Sequence, residues 1–470
     1  MLTMSVERLV DVTAGTLLQG DAKTMVNGLA IDSRDVQPGA AFVAFTGAVV
    51  DGHDFAGAAL AAGARALVVT KDSEELRHAV TSSRRHDVAV VLVDDATAAV
   101  QALASAHRDR LLCPVVGVTG SMGKTTTKDF LRSVLGTRMN VVATEGNRNN
   151  ELGVPLTIMD AGADTGVLVV EMAMRGSGQI EALASIVRPT CGLVTNVGVS
   201  HVEILGSECA IADAKAELVE VIPAQGRVFL NGDDAWSAAL AERSSAAVTM
   251  YGLSEQAQVR AVDITVDDAG TASFTLVCES GTAHVALPVP GRHNVYNALA
   301  AAAVSLYLQL SLSDIVAGLE RARMTGMRME VFESASGVTV INDAYNANPT
   351  AMRAALATLG GVSSEGRRIA VLGDMAELGT LSELAHFDLG TVVARSDADA
   401  LVTVGPLARR IADGALAAGM PAAAVRPCAT AAEASEVLDD LLVSGDVVLV
   451  KASRVMGLER IVDGIIQPHV

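Results

Sequence analysis

The chain reads PVVGVTGSMGKTTT over residues 114–127, and much of the fold follows from this stretch. An apolar strand runs into a glycine-rich turn, and the helix that follows opens with Lys124 and Thr125. Glycines let backbone N–H groups close around phosphate oxygens, and the positive end of the helix points at them. A lysine here reaches the terminal phosphates, while a threonine hydroxyl can bind Mg²⁺. The stretch predicts a nucleoside triphosphate site.

The spacing of the glycines differs from the general phosphate-loop pattern. Val118 stands where that pattern has its first glycine, and the glycines are Gly117, Gly120 and Gly123. The alternative is a tight strand-to-helix turn with a solvated lysine. Gly-Lys-Thr between a strand and an amphipathic helix favours the phosphate site.

Composition restricts the compartment and the partners. The 470 residues predict two to four domains, and the formal net charge of −19 disfavours a nucleic acid or an anionic membrane as partner. The five cysteines are scattered without a Cys-x-x-Cys pair, which predicts buried reduced thiols. The N-terminus lacks a secretory pattern, and the apolar stretch 298–308 is too short to span a bilayer. We expect a cytoplasmic monomer without membrane insertion.

Short β-branched runs alternate with alanine-rich helical segments, which predicts an α/β fold with parallel sheets. Alternating residues over 258–288 predict antiparallel strands, and a long helix is expected over 295–308. The stretch 321–330 has no periodicity and is interpreted as a linker. The main parallel strands are expected at 41–44, 66–69, 88–93, 166–172, 191–197, 227–230, 368–372, 400–404 and 447–450.

Polar residues at strand ends are candidates for the site, because ligands collect at the carboxyl ends of parallel strands. Glu171 ends an apolar strand and could bind Mg²⁺, the alternative being a surface glutamate. Asn196 and His201 follow the next strand, the alternative being a structural or solvated histidine. Lys215 lies on an apparent helix, where the sequence alone favours a surface lysine. Near a metal it could instead be a charge partner or react with CO₂ to form a carbamate.

These residues together resemble the Mur ligase family, the ATP-dependent amide-forming enzymes of bacterial cell-wall synthesis. The segment 119–125 is similar to the family's phosphate loop, and GRHNVYN over 291–297 is similar to its Gly-x-His-Asn-x-x-Asn segment. The resemblance implies three domains: an N-terminal α/β uridine-nucleotide domain (1–111), a central ATP-binding P-loop domain with a parallel sheet (112–326) and a C-terminal Rossmann-like domain (327–470). The C-terminal domain would bind the incoming dipeptide and close on ATP.

The resemblance also implies site residues and the cofactors ATP and Mg²⁺. Catalytic roles fall on Lys124, His201 and Lys215, the last as a carbamate, and metal binding on Thr125, Glu171, His201 and Lys215. The implied ATP contacts are Thr119, Gly120, Ser121, Met122, Gly123, Lys124, Thr125, Thr126, Asn294, Arg328 and Asp343. Met122 stands where relatives often place a small or amide residue, but that position mainly offers backbone.

Particular segments resemble the members that join D-alanyl-D-alanine to UDP-N-acetylmuramoyl tripeptide. They are GNRNNELGVP (146–155), LGDMAELG (372–379) and KASR (451–454), whereas an Asp-Asn-Pro-Arg motif is absent. The implied substrate contacts are Ser33, Arg34, Asn149 and Asn150. His386 and Ser382, one helical turn apart, are expected only to cap and pack a helix.

Several alternatives remain open at this level. They are the ligases that add diaminopimelate or lysine to the dipeptide precursor, folylpolyglutamate synthase, and a regulatory phosphate-loop NTPase. A structural role without catalysis is disfavoured by the lysine, threonine and carboxylate. The third residue of the acceptor peptide, diaminopimelate or lysine, is also open.

Overall fold

The fold is described from a computed structural model, for residues 2–47, 50–83, 87–198 and 202–467. The chain divides into two compact units. The first comprises Met1–Gly117, Met139–Ala173 and Ile180–Cys191, and the second comprises Val118–Arg138, Met174–Gln179 and Gly192–Val470.

Seven strands and four helices come before residue 112 in the described part of the chain. The strands are β1 (Thr3–Ser5), β2 (Thr16–Gln19), β3 (Met25–Asn27), β4 (Leu29–Ala30), β5 (Ala41–Val43), β6 (Ala66–Val69) and β7 (Ala89–Leu92). The helices are α1 (Val6–Thr13), α2 (Ala56–Ala61), α3 (Glu74–Ser82) and α4 (Ala96–Arg108), with a 3₁₀ turn at Gly52–Phe55.

The middle of the chain contains the phosphate-loop region. Its elements are β8 (Val115–Thr119), α5 (Lys124–Leu135), β9 (Val141–Ala143), α6 (Gly153–Asp160), β10 (Val167–Glu171), α7 (Gln179–Val187), β11 (Cys191–Val194), α8 (Val202–Leu205), α9 (Glu208–Glu220), β12 (Arg227–Asn231), α10 (Ser237–Glu242), β13 (Ala247–Gly252), β14 (Val259–Val266), β15 (Thr271–Cys278), β16 (Gly281–Pro290), α11 (Asn294–Tyr307) and α12 (Leu312–Glu320).

The last part of the chain again alternates strands and helices. Its elements are β17 (Glu330–Glu333), β18 (Thr339–Asn342), α13 (Pro349–Gly361), β19 (Arg368–Gly373), α14 (Ser382–Val393), β20 (Ala400–Val404), α15 (Arg409–Ala417), β21 (Val425–Cys428), α16 (Ala431–Leu441), β22 (Val447–Lys451) and α17 (Glu459–Ile466). Short 3₁₀ turns occur at Gly379–Leu381, Ala422–Ala424 and Arg454–Met456.

In the first unit, a sheet has the strand order β2-β7-β6-β5-β4. The four strands β4 to β7 are parallel, and β2 joins the edge antiparallel to β7. The residues of β6 are all buried, as expected for a parallel strand with both faces covered. This unit also contains β9 and β10, a parallel pair in which Val141 lies opposite Val167.

In the second unit, the strands β12, β13 and β14 are parallel, and β14, β15 and β16 are antiparallel. The prediction of antiparallel strands over 258–288 is therefore confirmed. The turn between β14 and β15 is closed by the Gly270 N–H, which donates to the Asp267 carbonyl over 2.9 Å. Gly270 has φ +75°, a left-handed conformation that suits glycine.

A second sheet of this unit has the strand order β17-β18-β22-β19-β20-β21. All neighbouring pairs are parallel except β17 with β18. Along β19, Ala370 and Leu372 belong to one apolar cluster, whereas Ile369 and Val371 belong to another. The sheet is thus covered on both faces, and its ligand-binding edge is the one where the parallel strands end.

The α/β class and the main parallel strands were predicted correctly. The predicted linker 321–330 contains no regular element before β17 begins at Glu330. The prediction of buried cysteines was only partly right: Cys191 and Cys428 are buried, Cys113 and Cys278 are half-buried and Cys209 is exposed, and all five are free thiols. Cys209 lies exposed in the first turn of α9, so it is not part of the core. Among the described helices, none has the length and apolar character needed to cross a lipid bilayer.

Candidate active site

The phosphate loop joins β8 to α5 and approaches its neighbours too closely for side chains at two glycines. Gly120 has φ +147°, and a Cβ there would lie 1.8 Å from Thr195 Oγ1. Gly123 has φ +76°, and a Cβ there would lie 2.3 Å from Asn297 Oδ1. Both distances are far below van der Waals contact, so the turn requires glycine at these positions for space as well as for backbone conformation.

The segment after β11 fixes the middle of the loop through the Met122 backbone. Asn196 Oδ1 accepts from the Met122 N–H over 3.0 Å, and Asn196 Nδ2 donates to the Met122 carbonyl over 3.1 Å. Thr195 Oγ1 donates to the same carbonyl. One side-chain amide therefore satisfies both polar groups of a loop residue, as a paired strand would. These contacts involve the backbone of Met122, so they do not depend on its side chain.

Ser121 adds a second connection between the loop and this segment. Its N–H donates to the Asn196 carbonyl over 3.0 Å, and its Oγ lies 2.9 Å from both the carbonyl and the N–H of Gly198. Ser121 is 8% exposed. The loop is consequently held along its length by hydrogen bonds, and its shape is set before any ligand is considered.

Lys124 and Thr125 occupy the first turn of α5, as predicted. The Lys124 ammonium donates to the Gly120 carbonyl over 2.7 Å, which keeps it over the loop. Thr125 is 2% exposed, and Thr126 beside it is half-buried. The unsatisfied N–H groups of a helix start give this end a partial positive charge that favours phosphate oxygens.

The helix α11 supports the loop from the opposite side. Asn294 Nδ2 donates to the Pro290 carbonyl over 2.7 Å, and Asn294 Oδ1 accepts from Asn297 Nδ2 over 2.9 Å. Asn297 Oδ1 in turn accepts from the Thr127 hydroxyl of α5 over 3.2 Å. Both asparagines are nearly buried. Asn294, a predicted ATP contact, is thereby connected to the phosphate-loop helix through Asn297.

Lys215 on α9 is buried, so the interpretation of a surface lysine was wrong. It is 1% exposed. Burial lowers the pKa of its ammonium well below the ordinary value, the positive charge of Lys124 lowers it further, and Asp234 opposes the shift. Asp213 and Glu217 stand two positions before and after Lys215 on α9, so its place in the helix sequence did not reveal burial. An uncharged amine is nucleophilic and can react with CO₂.

Glu171 ends β10 in the first unit, where it is 1% exposed. Its backbone N–H donates to Thr144 Oγ1 over 2.9 Å, and its Oε1 accepts from Asn149 Nδ2 over 2.8 Å. A surface glutamate is therefore excluded. Asn149 thus orients this carboxylate, and its predicted contact with the substrate stays a prediction.

The donors predicted for Mg²⁺ can be judged by their chemistry. His201 lies outside the described residues. Over the described ranges, no group of three or more His, Cys, Asp or Glu side chains forms a ready-made metal cluster. Thr125 and Glu171 nevertheless offer buried hydroxyl and carboxylate oxygens, the donors that Mg²⁺ prefers. A carbamate on Lys215 would also offer oxygens, so each of these groups fits the ion by its chemistry.

Arg328 and Asp343 lie in the segments that lead into the last sheet. The Arg328 guanidinium lies over the Tyr345 ring, 4.0 Å from its centroid. Asp343 follows β18 and forms an ion pair with Lys451 at the end of β22, with 2.5 Å between Oδ2 and Nζ. The Lys451 ammonium also donates to the Asn346 carbonyl over 2.9 Å. These residues meet where parallel strands end.

His293, beside Asn294, has its imidazole close to the same ion pair. Burial lowers the pKa of His293, while Asp343 opposes the shift and Lys451 adds to it. Its imidazole therefore favours the neutral form.

The other predicted substrate contacts in the first unit, Ser33, Arg34 and Asn150, lie in separate segments of the chain. Arg34 is bound to Asp32 by its guanidinium and lowers the pKa of that carboxyl to about 2. Ser33 between them is half-buried. Asn150 Oδ1 accepts from the Gly153 N–H over 2.9 Å and so caps the start of α6. A substrate role for these three residues stays a prediction.

His386 behaves as expected from its helical spacing to Ser382. It is fully buried, its Nε2 accepts from the Met375 N–H over 2.9 Å, and its Nδ1 donates to the Ser382 carbonyl over 2.6 Å. Ser453 Oγ accepts from the neighbouring Ala376 N–H over 2.8 Å. The segment after β19 is thus fixed to α14 and to the residues after β22.

Sequence reasoning did not assign three residues that shape the site: Asn297, Lys451 and Tyr345. Each stood in a segment that had been singled out, and each is polar or aromatic at the end of a strand or the start of a helix. Their position was the available signal. Their partners are distant in the sequence, so the contacts themselves could not be read from it.

Family models match most of the chain. Residues 25–108 match the Mur ligase family catalytic domain, residues 118–305 the Mur ligase middle domain, and residues 327–454 the Mur ligase glutamate ligase domain.

Curated relatives are similar over nearly their whole length. A UDP-N-acetylmuramoyl-tripeptide--D-alanyl-D-alanine ligase of Bacillus subtilis is 36% identical, with 99% of each chain covered. The ligase of the same name from Mycobacterium tuberculosis H37Rv is 38% identical, covering 99% of this chain and 98% of that one.

Solved structures agree with these matches. MurF from Acinetobacter baumannii superposes with a TM-score of 0.87 at 30% identity over 99% of both chains. The MurF ligase of Thermotoga maritima in complex with ADP gives 0.78 at 26% identity, covering 93% of this chain and 96% of that one. A folylpolyglutamate synthase of M. tuberculosis gives 0.63 at 18% identity, which shows a shared fold alone.

The chain belongs to the Mur ligase family. It has the three-domain α/β fold of that family, with mostly parallel sheets, and it is an ATP-dependent ligase. The prediction of an ATP site at the Gly-Lys-Thr turn agrees with this assignment.

The spacing at Gly120 gives a testable consequence. Gly120→Ala should weaken nucleotide binding by about 100-fold or more, because the new methyl group overlaps Thr195 Oγ1 and must displace the loop. Binding can be measured by titration with a fluorescent ADP analogue. Gly419→Ala is the matched control, since Gly419 is also left-handed at φ +98° but has nothing within 4 Å of the added Cβ. Equal binding by wild type and Gly120→Ala would show that the loop does not form the nucleotide site.

Proposed function

We propose that this protein joins D-alanyl-D-alanine to UDP-N-acetylmuramoyl tripeptide, with ATP converted to ADP and phosphate through an acyl-phosphate intermediate. The product would be the pentapeptide precursor of peptidoglycan. The names of the relatives over full-length alignments support this substrate pair. Since ATP and nucleotide-linked precursors are available in the cytoplasm, we also propose that the enzyme works there.

The single observation that carries the proposal is a fully buried lysine, Lys215, whose pKa is lowered by burial and by the charge of the phosphate-loop lysine Lys124. Lys215 is 1% exposed, and its pKa responds to Lys124. A regulatory NTPase needs the phosphate loop alone, whereas a ligase must also bring a carboxylate to the γ-phosphate. A second lysine that can be converted to an anionic carbamate serves a cation shared between those two anions.

The first chemical step must overcome repulsion between two anions. A carboxylate has no usable leaving group, so its oxygen attacks the γ-phosphorus of ATP, the bond to the β-phosphate oxygen breaks, and ADP leaves. Lys124 and the N–H groups at the start of α5 would neutralise the charge on the phosphates. Thr125 and Glu171 would hold one Mg²⁺, and His201 and carbamylated Lys215 would hold a second. These ions would supply further positive charge to offset the two anions.

The second step forms the amide. The amine of D-alanyl-D-alanine attacks the acyl-phosphate carbon, and the tetrahedral intermediate collapses with loss of phosphate. Water competes with the amine, so the site must exclude it. We propose domain limits of 1–111, 112–326 and 327–470, with Arg328 and Asp343 contributed from the C-terminal side to an ATP held by the phosphate loop. Closure of that domain would then assemble the site.

The substrates can be tested by phosphate release coupled to product mass. Release that requires both UDP-N-acetylmuramoyl tripeptide and D-alanyl-D-alanine, with a product heavier by one dipeptide, is the expected result. Release without any acceptor would support the regulatory NTPase instead. Reaction only with a free diamino acid and the dipeptide precursor would transfer the chain to the neighbouring ligases. Comparing lysine- and diaminopimelate-containing tripeptides would identify the third residue.

The carbamate can be tested at Lys215. Lys215→Ala and Lys215→Arg should both lose most ligation activity, about 100-fold or more, because neither side chain can form a carbamate. Removal of CO₂ and bicarbonate should lower wild-type activity, and their return should restore it. Since the neutral amine reacts with CO₂, the carbamate should also be lost as the pH falls and the amine is protonated.

The matched control is Lys23→Ala, at an exposed lysine. Carbon-13 NMR of protein supplied with labelled bicarbonate should show one carbamate signal in wild type and in Lys23→Ala, and none in Lys215→Ala. Full activity in Lys215→Arg without this signal would contradict the carbamate.

A further inference from the structure

Arg328 is oriented by an aromatic ring. Its guanidinium carbon lies 4.0 Å from the Tyr345 ring centroid, well within the range of a cation–π contact. Its Nε is buried without a hydrogen-bond partner among the described residues. A guanidinium stacked on a ring uses its flat face and leaves its N–H groups, which lie in the plane, available as donors.

A ring suits a phosphate-binding arginine better than a carboxylate would. A carboxylate would occupy two N–H groups and neutralise the charge, so an incoming phosphate would have to displace it. The Tyr345 face stabilises the cation without a competing anion. The ring also restricts the Arg328 side chain before a ligand binds, so less conformational entropy is lost on binding.

The backbone on either side of Arg328 is held in an uncommon conformation. Met327 and Met329, on either side of it, have φ +60° and +54°. Each left-handed residue other than glycine costs about 1 kcal/mol or more, so the surrounding contacts must hold this conformation. The Met327 N–H donates to Glu330 Oε2, and the Met327 carbonyl accepts from the Tyr345 N–H over 3.3 Å. Tyr345 thus holds the Arg328 segment through its backbone and its ring.

Both sides of this contact are fixed to the nucleotide-binding elements. Asp129 on α5 is 5% exposed and accepts from the Thr325 N–H over 2.7 Å and from the Thr325 hydroxyl over 3.1 Å. On the other side, Lys451 pairs with Asp343 and donates to the Asn346 carbonyl, so it fixes the residues that flank Tyr345. The segment before Arg328 is thus bound to the phosphate-loop helix through Thr325, and Tyr345 stands in the segment that Lys451 fixes.

We propose that Tyr345 is a positioning residue that holds the Arg328 guanidinium face-on, with its N–H edges free for the phosphate oxygens of ATP. The proposal rests on the ligase function proposed above. Tyr345 acts through Arg328 and does not touch the reacting atoms. The aromatic face is the part that matters, and the hydroxyl is dispensable.

A double-mutant cycle tests the proposal. Tyr345→Leu should raise the KM for ATP about tenfold, the size expected for a partly desolvated cation–π contact, with the KM for D-alanyl-D-alanine unchanged. Tyr345→Phe should stay close to wild type. On an Arg328→Ala background, Tyr345→Leu should have no further effect. Losses that multiply in the double variant, or a Phe variant as impaired as the Leu variant, would overturn the proposal.

Tyr307→Leu is the matched control, because Tyr307 carries Arg227 at 5.4 Å from its ring on the far end of α11. It should leave the KM for ATP unchanged. If Tyr345→Leu does not fold, phenylalanine and its increasingly fluorinated forms at position 345 provide a second test. They keep the size of the ring while withdrawing electrons from its face, so the KM for ATP should rise steadily with fluorination; a flat series would refute the cation–π role.

Failure of this inference can be told apart from failure of the proposed function. Wild-type ligation is measured first, and affinity for a fluorescent ATP analogue is measured for every variant. If the wild type is inactive but Tyr345 and Arg328 have coupled effects on nucleotide affinity, the proposed substrates are wrong and the positioning role of Tyr345 stands. An active wild type without such coupling would do the reverse.

Discussion

The hydrogen bonds between Asn196 and the Met122 backbone are the constraint on which the nucleotide site depends. They supply hydrogen-bond partners for the N–H and carbonyl of Met122, which lies in a loop outside any strand. Buried backbone groups without such partners are costly. Gly120 and Gly123 let the loop come within atomic contact of Thr195 and Asn297. The phosphate loop is therefore shaped by the segment after β11 and by α11, and both elements must be in place before α5 can present its N–H groups.

The basic side chains around the candidate site differ in the groups that stabilise or neutralise their positive charge. The protein has a net charge of −19, so ATP and the UDP-linked acid proposed as its substrate must be attracted by local positive charge. Burying a charge is expensive unless it is paired or neutralised. Lys451 is paired with Asp343, Lys128 is paired with Asp129, and Lys215 favours its neutral form. Arg328 alone among these lies on an aromatic face. Lys124 lies over the phosphate loop, where its ammonium donates to the Gly120 carbonyl.

Local patterns in the sequence were sufficient for much of the fold. The strand, glycine turn and helix around Lys124 follow from residues that are adjacent in the chain, as do the buried strands and the antiparallel stretch after residue 258. The edge strand β2 was missed because its burial pattern is mostly exposed and gives no apolar alternation.

The site could be predicted only as a set of candidates. Whether Lys215 is buried depends on what packs around α9. The sequence of α9 does not indicate which of its faces is buried. The hydrogen bonds of Asn149 to Glu171 and of the Gly153 N–H to Asn150 could not be read from the sequence, and the substrate roles of both asparagines stay predictions. The pairing of Arg328 with Tyr345 joins residues in separate segments, so only the folded chain brings it into view.

The central claim is that ATP is bound jointly by the phosphate loop and by the segments that contain Arg328 and Asp343. Hydrogen–deuterium exchange with and without a nonhydrolysable ATP analogue tests it most directly. The account predicts slower exchange on binding in residues 119–126 and also in residues 325–329 and 343–346. Protection confined to residues 119–126, with the later segments unchanged at saturating analogue, would contradict it.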